Sequence, residues 1–213
     1  MKNIKNIIFD IDGTLVNTKK VTIPAFKKTL ESLDKDGFKV KVNSNEIMKY
    51  IGYTIDNIFK NIFKSDDKVL IEKAIHYLDI YEEEFLSKTN EIFFDGVFDV
   101  LSYLKSKNKN IYLLSNCNKK YLNIVLEKGL NEFIDSPHCS EMYNWKEKDY
   151  VISTFIKKTN SKSFVMIGDR HKDIEAAKAN NIKSIGCNYG YGNKEVEKAD
   201  VIIHNIKDII NIF

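Results

Sequence analysis

The sequence predicts an α/β fold: a parallel sheet flanked by helices, with a helical segment inserted after the first strand. Three observations predict it. From Phe94 onward, short apolar runs alternate with helical segments, the pattern of β-α units. A further apolar run, Ile7 to Phe9, stands alone near the start of the chain. Between the two, a stretch to about residue 90 carries helical periodicity throughout.

The opening strand ends abruptly in two acids. Ile7-Ile8-Phe9 is followed by Asp10-Ile11-Asp12, and Gly13 then lets the chain turn away sharply. In the insertion, Thr22 can cap a helix with Pro24 in its first turn, and Ile23, Phe26, Leu30 and Leu33 repeat at helical spacing up to Gly37. Ser44 to Ile51 and Asp56 to Phe63 read as two shorter helices separated by Gly52. Leu70, Ala74, Tyr77, Leu78, Tyr81 and Phe85 stripe a longer one. The later strands are expected at Ile111–Leu114, Phe164–Ile167, Ser184–Gly186 and Val201–Ile203, with a weaker one at Phe133–Ile134. Because the first strand precedes the helical stretch and its partners follow it, the α/β domain is expected at 1–17 and 91–213 and the insertion at 18–90.

Composition narrows the class. With 213 residues, 43% of them apolar, the chain can bury a proper core. A net charge of +3 is mild, and basic and acidic residues alternate, as in Lys146-Glu147-Lys148-Asp149, which argues against a nucleic-acid partner. Met1 to Asn6 lacks the apolar core of a signal peptide and no run is long enough to span a bilayer, so the expectation is a cytoplasmic protein with no membrane partner, monomeric or a homodimer. Cys117, Cys139 and Cys187 fit neither a disulfide framework nor a zinc site.

In an open parallel sheet, ligands bind beyond the carboxyl ends of the strands, so the residues after each apolar run carry the chemistry. The first strand ends in Asp10 and Asp12, the second in Ser115-Asn116, and a later one in Gly168-Asp169 with Asp173 four residues on. Several carboxylates and a hydroxyl thus converge on one crevice. Two acids one residue apart need a cation, a shared proton or divided roles. Oxygen donors without His or Cys suit Mg²⁺.

These residues resemble the motifs of the haloacid dehalogenase superfamily, in its phosphoglycolate-phosphatase-like group with a helical cap inserted after the first motif. Asp10-Ile11-Asp12-Gly13-Thr14, the strand-ending Ser115, a lysine at the start of a later helix, and Gly168-Asp169 with Asp173 stand in the family's order across nearly the whole chain. The resemblance implies a Rossmann-like core and a Mg²⁺-dependent phosphatase acting on a small phosphorylated metabolite. It also implies roles. Asp10 is expected as the nucleophile that forms an aspartyl-phosphate, and Asp12 as the acid and then base that also binds Mg²⁺ through its carbonyl. Asp169 and Asp173 complete the metal site, while Ser115, Asn116 and a lysine bind the phosphoryl group.

For that lysine the expectation is Lys146, just ahead of a helix from about Lys148 to Ile156, with Lys148 facing solvent; the reverse assignment is the alternative, since Lys146-Glu147 replaces the usual Lys-Pro. Thr14 reads as structural, His171 as a variable motif position, and His76, His138 and His204 have no partner pattern. Trp145 reads as a packing residue, while Ile51-Gly52-Tyr53-Thr54 and Lys49 stand where related proteins place specificity contacts. Other readings are a phosphomutase, a pyrophosphatase or nucleotidase, or a non-catalytic binding protein on the same scaffold. Asp12 argues against a dehalogenase, and the insertion argues against a phospho-accepting receiver domain.

Overall fold

The computed structural model describes residues 1–40 and 42–213. Its helices and strands, in chain order, are β1 (Asn6–Phe9), α1 (Thr22–Lys35), α2 (Ser44–Tyr50), α3 (Ile55–Phe63), α4 (Lys68–Lys88), α5 (Val97–Ser106), β2 (Asn110–Ser115), α6 (Lys119–Val125), β3 (Ser136–Cys139), α7 (Lys148–Thr159), β4 (Phe164–Gly168), α8 (His171–Ala179), β5 (Lys183–Cys187), β6 (Val201–Ile203) and α9 (Ile209–Ile212). The chain forms two compact units, Met1–Val16 with Phe93–Phe213, and Asn17–Ile92.

The first unit is built on a six-stranded sheet in the order β3-β2-β1-β4-β5-β6. Every pairing is parallel, with Ile8 of β1 set between Tyr112 and Met166. Both β1 and β4 are buried along their whole length, which is why they read as unbroken apolar runs rather than as alternation. On one face, Ile8, Leu114, Phe164 and Met166 pack against Val151, Ile152 and Phe155 of α7 and Ala176 and Ala177 of α8. Each of the larger side chains contributes about 1.5–3 kcal/mol on burial.

The strand order decides where chemistry can occur. From β1 the chain builds outward through β2 and β3, then returns to the other side of β1 for β4, β5 and β6. The carboxyl ends of β1 and β4 therefore flank a topological switch point, the place where an open sheet leaves a crevice.

Two sequence expectations are corrected. The strand expected at Phe133–Ile134 lies instead at Ser136–Cys139 and contains Pro137. Because β3 is the outermost strand, the missing N–H of Pro137 costs the ladder little. Thr22 is the first helical residue of α1 rather than its cap, and its hydroxyl donates to Glu82 Oε1 at 3.1 Å.

The second unit is a helical bundle. Phe26, Leu33, Ile47, Phe59, Ile71 and Leu78 are among the residues of its buried core, and the Phe26 and Phe59 rings lie 5.3 Å apart. Asp67 caps α4, accepting from the backbone N–H groups of Val69 and Leu70 at 3.0 and 3.3 Å. No helix among the described residues is long and apolar enough to cross a membrane.

Candidate active site

The strand β1 delivers Asp10 to the rim and a tight turn delivers Asp12. Gly13 N–H donates to Val16 O and Leu15 N–H to Ile11 O, both at 2.9 Å, so the chain doubles back within a few residues. Gly13 has φ +81°, and a side chain there would collide with the Asp169 carboxylate. Only glycine meets both demands.

Asp10, Asp169 and Asp173 are buried, and each offers an oxygen within 4.8 Å of those of the other two. Lys148, 4% exposed, is set among them. Its ammonium donates to Asp10 Oδ1 and to Asp173 Oδ1, both at 2.6 Å. The second oxygen of Asp173 accepts the backbone N–H of Arg170 at 3.0 Å, at the start of α8. Asp169 Oδ2 accepts the backbone N–H of Tyr191 at 2.6 Å. Two oxygens remain: Asp10 Oδ2 and Asp169 Oδ1 are buried and have no hydrogen-bond partner among the described residues.

Three carboxylates and one ammonium leave an excess of negative charge out of water. Burial, above all, pushes the Asp10 carboxyl well above the usual range, against the pull of Lys148. Asp169 is pushed up to about 7, first by burial and then by Asp173. For Lys148, burial alone would lower the pKa, but Asp10 and Asp173 raise it above that of an ordinary lysine. The cluster calls for protons or a cation. All-oxygen donors, with two buried carboxylate oxygens left unpartnered, fit a hard divalent ion.

Asp12 is only half-buried and belongs to a different network. Its Oδ1 accepts the Tyr121 hydroxyl at 2.6 Å and its Oδ2 the Ser115 hydroxyl at 3.3 Å. The two acids of the motif thus meet opposite partners, an ammonium for Asp10 and hydroxyls for Asp12. Next to Ser115, the Asn116 side-chain oxygen accepts the buried Ser140 hydroxyl at 2.8 Å, which fixes the orientation of its amide.

The lysine expectation is corrected here. Lys148 does not face solvent, and Lys146 does. The helix α7 begins at Lys148 itself, so its first turn aims that side chain across the ends of β1 and β4 while Lys146 lies in the exposed approach. Trp145 does not pack as expected: it is 43% exposed with φ +59°. The His171 ring Nδ1 lies 2.7 Å from Glu195 Oε2, a carboxylate that also accepts from Arg170 at 2.8 Å, outside the acid cluster. Thr14 is buried, and its carbonyl accepts the Tyr189 hydroxyl at 2.8 Å.

Two participants carried no signal in the sequence reading. Tyr121 and the Tyr191 amide reach the site only through the fold. Gly190 and Gly192 belong to a strand and glycine pattern from Ser184 through Gly192 that the sequence does show: a side chain on either would run into Asp169, so the loop after β5 wraps that residue closely.

A family model described as haloacid dehalogenase-like hydrolase matches residues 7–187, and the chain belongs to that family. It is accordingly a hydrolase. A pyrophosphatase, PpaX from Oceanobacillus iheyensis, is 23% identical over 99% of this chain and 97% of its own length. Among solved structures, a predicted phosphatase from Clostridium acetobutylicum superposes with a TM-score of 0.83 at 24% identity, covering 98% of this chain and 97% of its own. A predicted phosphoglycolate phosphatase from Haemophilus somnus gives 0.81 at 22% identity, with 100% and 98% covered. The two structures share its fold.

Proposed function

We propose that the protein is a Mg²⁺-dependent phosphatase that hydrolyses a small phosphomonoester, phosphoglycolate-like in size and charge, through an aspartyl-phosphate on Asp10. One observation carries this reading. Asp10 is buried at the end of β1 with one oxygen held by Lys148 at 2.6 Å and the other unpartnered, an oriented carboxylate with a free lone pair.

In the first half-reaction, an Asp10 oxygen attacks phosphorus, the bond from phosphorus to the leaving oxygen breaks, and Asp12 gives that oxygen its proton. In the second, water attacks phosphorus, Asp12 takes a proton from it, and the phosphate leaves Asp10. Ser115, the amide of Asn116 and Lys148 bind the phosphoryl oxygens, Lys148 taking the role expected of Lys146. Asp10, Asp169, the Asp12 carbonyl and, through its hold on Lys148 and Arg170, Asp173 form the site for Mg²⁺, which when bound offsets the repulsion between a carboxylate and a phosphate dianion. The unit Asn17–Ile92 acts as a cap that excludes water, with Lys49 and Ile51–Thr54 as its specificity contacts. The protein works in the cytoplasm as a monomer or homodimer.

A second reading, hydrolysis of pyrophosphate, is favoured by the end-to-end similarity to the PpaX pyrophosphatase. Both readings share the first displacement and differ in the leaving group. Phosphate release with Mg²⁺ from p-nitrophenyl phosphate, phosphoglycolate, pyrophosphate, sugar phosphates and nucleoside monophosphates separates them. Preference for the monoesters supports the first reading and preference for pyrophosphate the second. No release from any compound by folded, Mg²⁺-supplied protein overturns both.

A further inference from the structure

We propose that Tyr121 is a positioning residue for Asp12, fixing which of its two oxygens carries the proton to the leaving group. The proposal rests on the reading of Asp12 as the general acid. A carboxyl group has two equivalent oxygens and rotates, so a general acid must be told which oxygen to use and where to aim it. In this chain the two oxygens of Asp12 have unequal partners. Oδ1 accepts the Tyr121 hydroxyl at 2.6 Å, the length of a strong bond to a charged acceptor, whereas Oδ2 has the Ser115 hydroxyl at a long 3.3 Å.

The consequence follows from proton counting. A phenol has one proton to donate, and while it is spent on Oδ1 that oxygen serves as the acceptor of the pair. The acidic proton is thereby directed to Oδ2, on the side of Ser115, which is the hydroxyl expected at the phosphoryl group. When that phosphoryl group draws the Ser115 proton, the Tyr121 bond still holds the carboxyl in its plane. During the first half-reaction Oδ2–H gives its proton to the leaving oxygen as the bond to phosphorus breaks, and Asp12 is left as a carboxylate still bonded to Tyr121.

The placement of Tyr121 is built for this. It is 7% exposed and lies in the first turn of α6, whose start is tied down by Asn118, the Asn118 side chain accepting the Tyr121 backbone N–H at 2.8 Å. The phenol therefore projects from a capped helix that follows Ser115 directly in the chain. Two donors six residues apart grip one carboxylate, and neither belongs to the acid motif.

The test is Tyr121→Phe, read as kcat/KM, which reports the steps up to departure of the leaving group. An alkyl phosphate needs its leaving oxygen protonated, whereas p-nitrophenolate leaves without help. The expected result is a loss of kcat/KM about 10-fold or more greater for the alkyl phosphate than for p-nitrophenyl phosphate, with KM for both within about threefold. Asp12→Asn should show the same discrimination more strongly, and Asp12→Asn/Tyr121→Phe should be no slower than Asp12→Asn. Equal losses on the two substrates, or none, in Tyr121→Phe overturn the proposal while discrimination in Asp12→Asn leaves the reading of Asp12 standing. If Asp12→Asn does not discriminate, the acid assignment itself fails and the proposal with it. Thermal melts confirm folding, and Tyr121→Leu supplies a second hydroxyl-free variant.

Discussion

Two aspartates in different units of this molecule each pair with a lysine at nearly the same distance, and their acidities move in opposite directions. In the helical unit, Asp36 lies 2.7 Å from Lys73 and also accepts the Tyr77 hydroxyl at 2.7 Å. Its carboxyl is held below the usual range, first by the hydrogen bond from Lys73 and then by that from Tyr77. In the sheet unit, Asp10 lies 2.6 Å from Lys148, yet burial pushes it well above the usual range. The ion pair is the same; the water is not. An exposed pair sits in high dielectric and is a surface ornament, whereas a buried acid with two acidic neighbours is under-compensated and ready for a cation or a bond to phosphorus.

The largest effect should come from removing the buried acid. Asp10→Asn is expected to lower phosphate release by about 10⁴-fold or more while leaving a cooperative thermal transition, since the amide fills the same space without the charge. Activity within tenfold of the unaltered protein would dissolve the contrast by making Asp10 as dispensable as Asp36.

Next comes its partner. Lys148→Ala should reduce kcat by about 10²–10³-fold and destabilise the fold by about 3–5 kcal/mol near pH 8, because it strips the cation from a buried acid cluster. Lys146→Ala should change kcat by less than about twofold. Steady-state kinetics and denaturant titrations on both variants check this, and a collapse confined to Lys146→Ala would reverse the assignment.

The raised pKa of Asp169 gives a pH signature. Its folded value of about 7 exceeds the roughly 3.9 of an unfolded chain. The metal-free folded protein therefore keeps a proton that the unfolded chain releases. That contribution to stability is complete below about pH 4 and is lost as pH rises to about 7. A cation must displace the same proton, so Mg²⁺ affinity should fall by about tenfold per pH unit below about 7. Calorimetric titration against Asp169→Asn checks this: the variant should show a shallower dependence, keeping only what Asp10 contributes, and an equal slope in both would remove Asp169 as a titrating group.

The smallest effect belongs to the exposed pair. Lys73→Ala should leave the denaturant midpoint and kcat essentially unchanged. A loss comparable to that of Lys148→Ala would show that burial is not what separates the two pairs.

How much of this was legible before folding depended on how local the signal was. Asp10, Asp12, Ser115 and Asp169 stood out because each terminates an apolar run, and in a parallel sheet the end of a run is the rim of the site. Asp173 followed from its spacing after Asp169. Lys148 was misjudged although α7 starts where it was expected, because the sequence does not show which way the first residue of that helix faces. With the helix starting at Lys148, that side chain reaches the acids, and Lys146 is left in the exposed loop. The edge strand was displaced because Phe133–Ile134 is the apolar pair there, whereas Ser136–Cys139 contains a proline and is tolerated as a strand only because it lies at the sheet edge. Tyr121 could not be found at all, since nothing near it in the chain announces that α6 carries it back to Asp12.

The central claim is that Asp10 becomes phosphorylated during turnover, and borohydride reduction tests it most directly. Protein turning over its best substrate with Mg²⁺ is quenched, reduced and digested, and the peptide containing Asp10 is weighed. An aspartyl-phosphate is reduced to homoserine, so the account predicts homoserine at position 10 only when substrate is present. Unmodified aspartate at position 10, under conditions where phosphate is being released and a known aspartyl-phosphate enzyme is trapped in parallel, would contradict it.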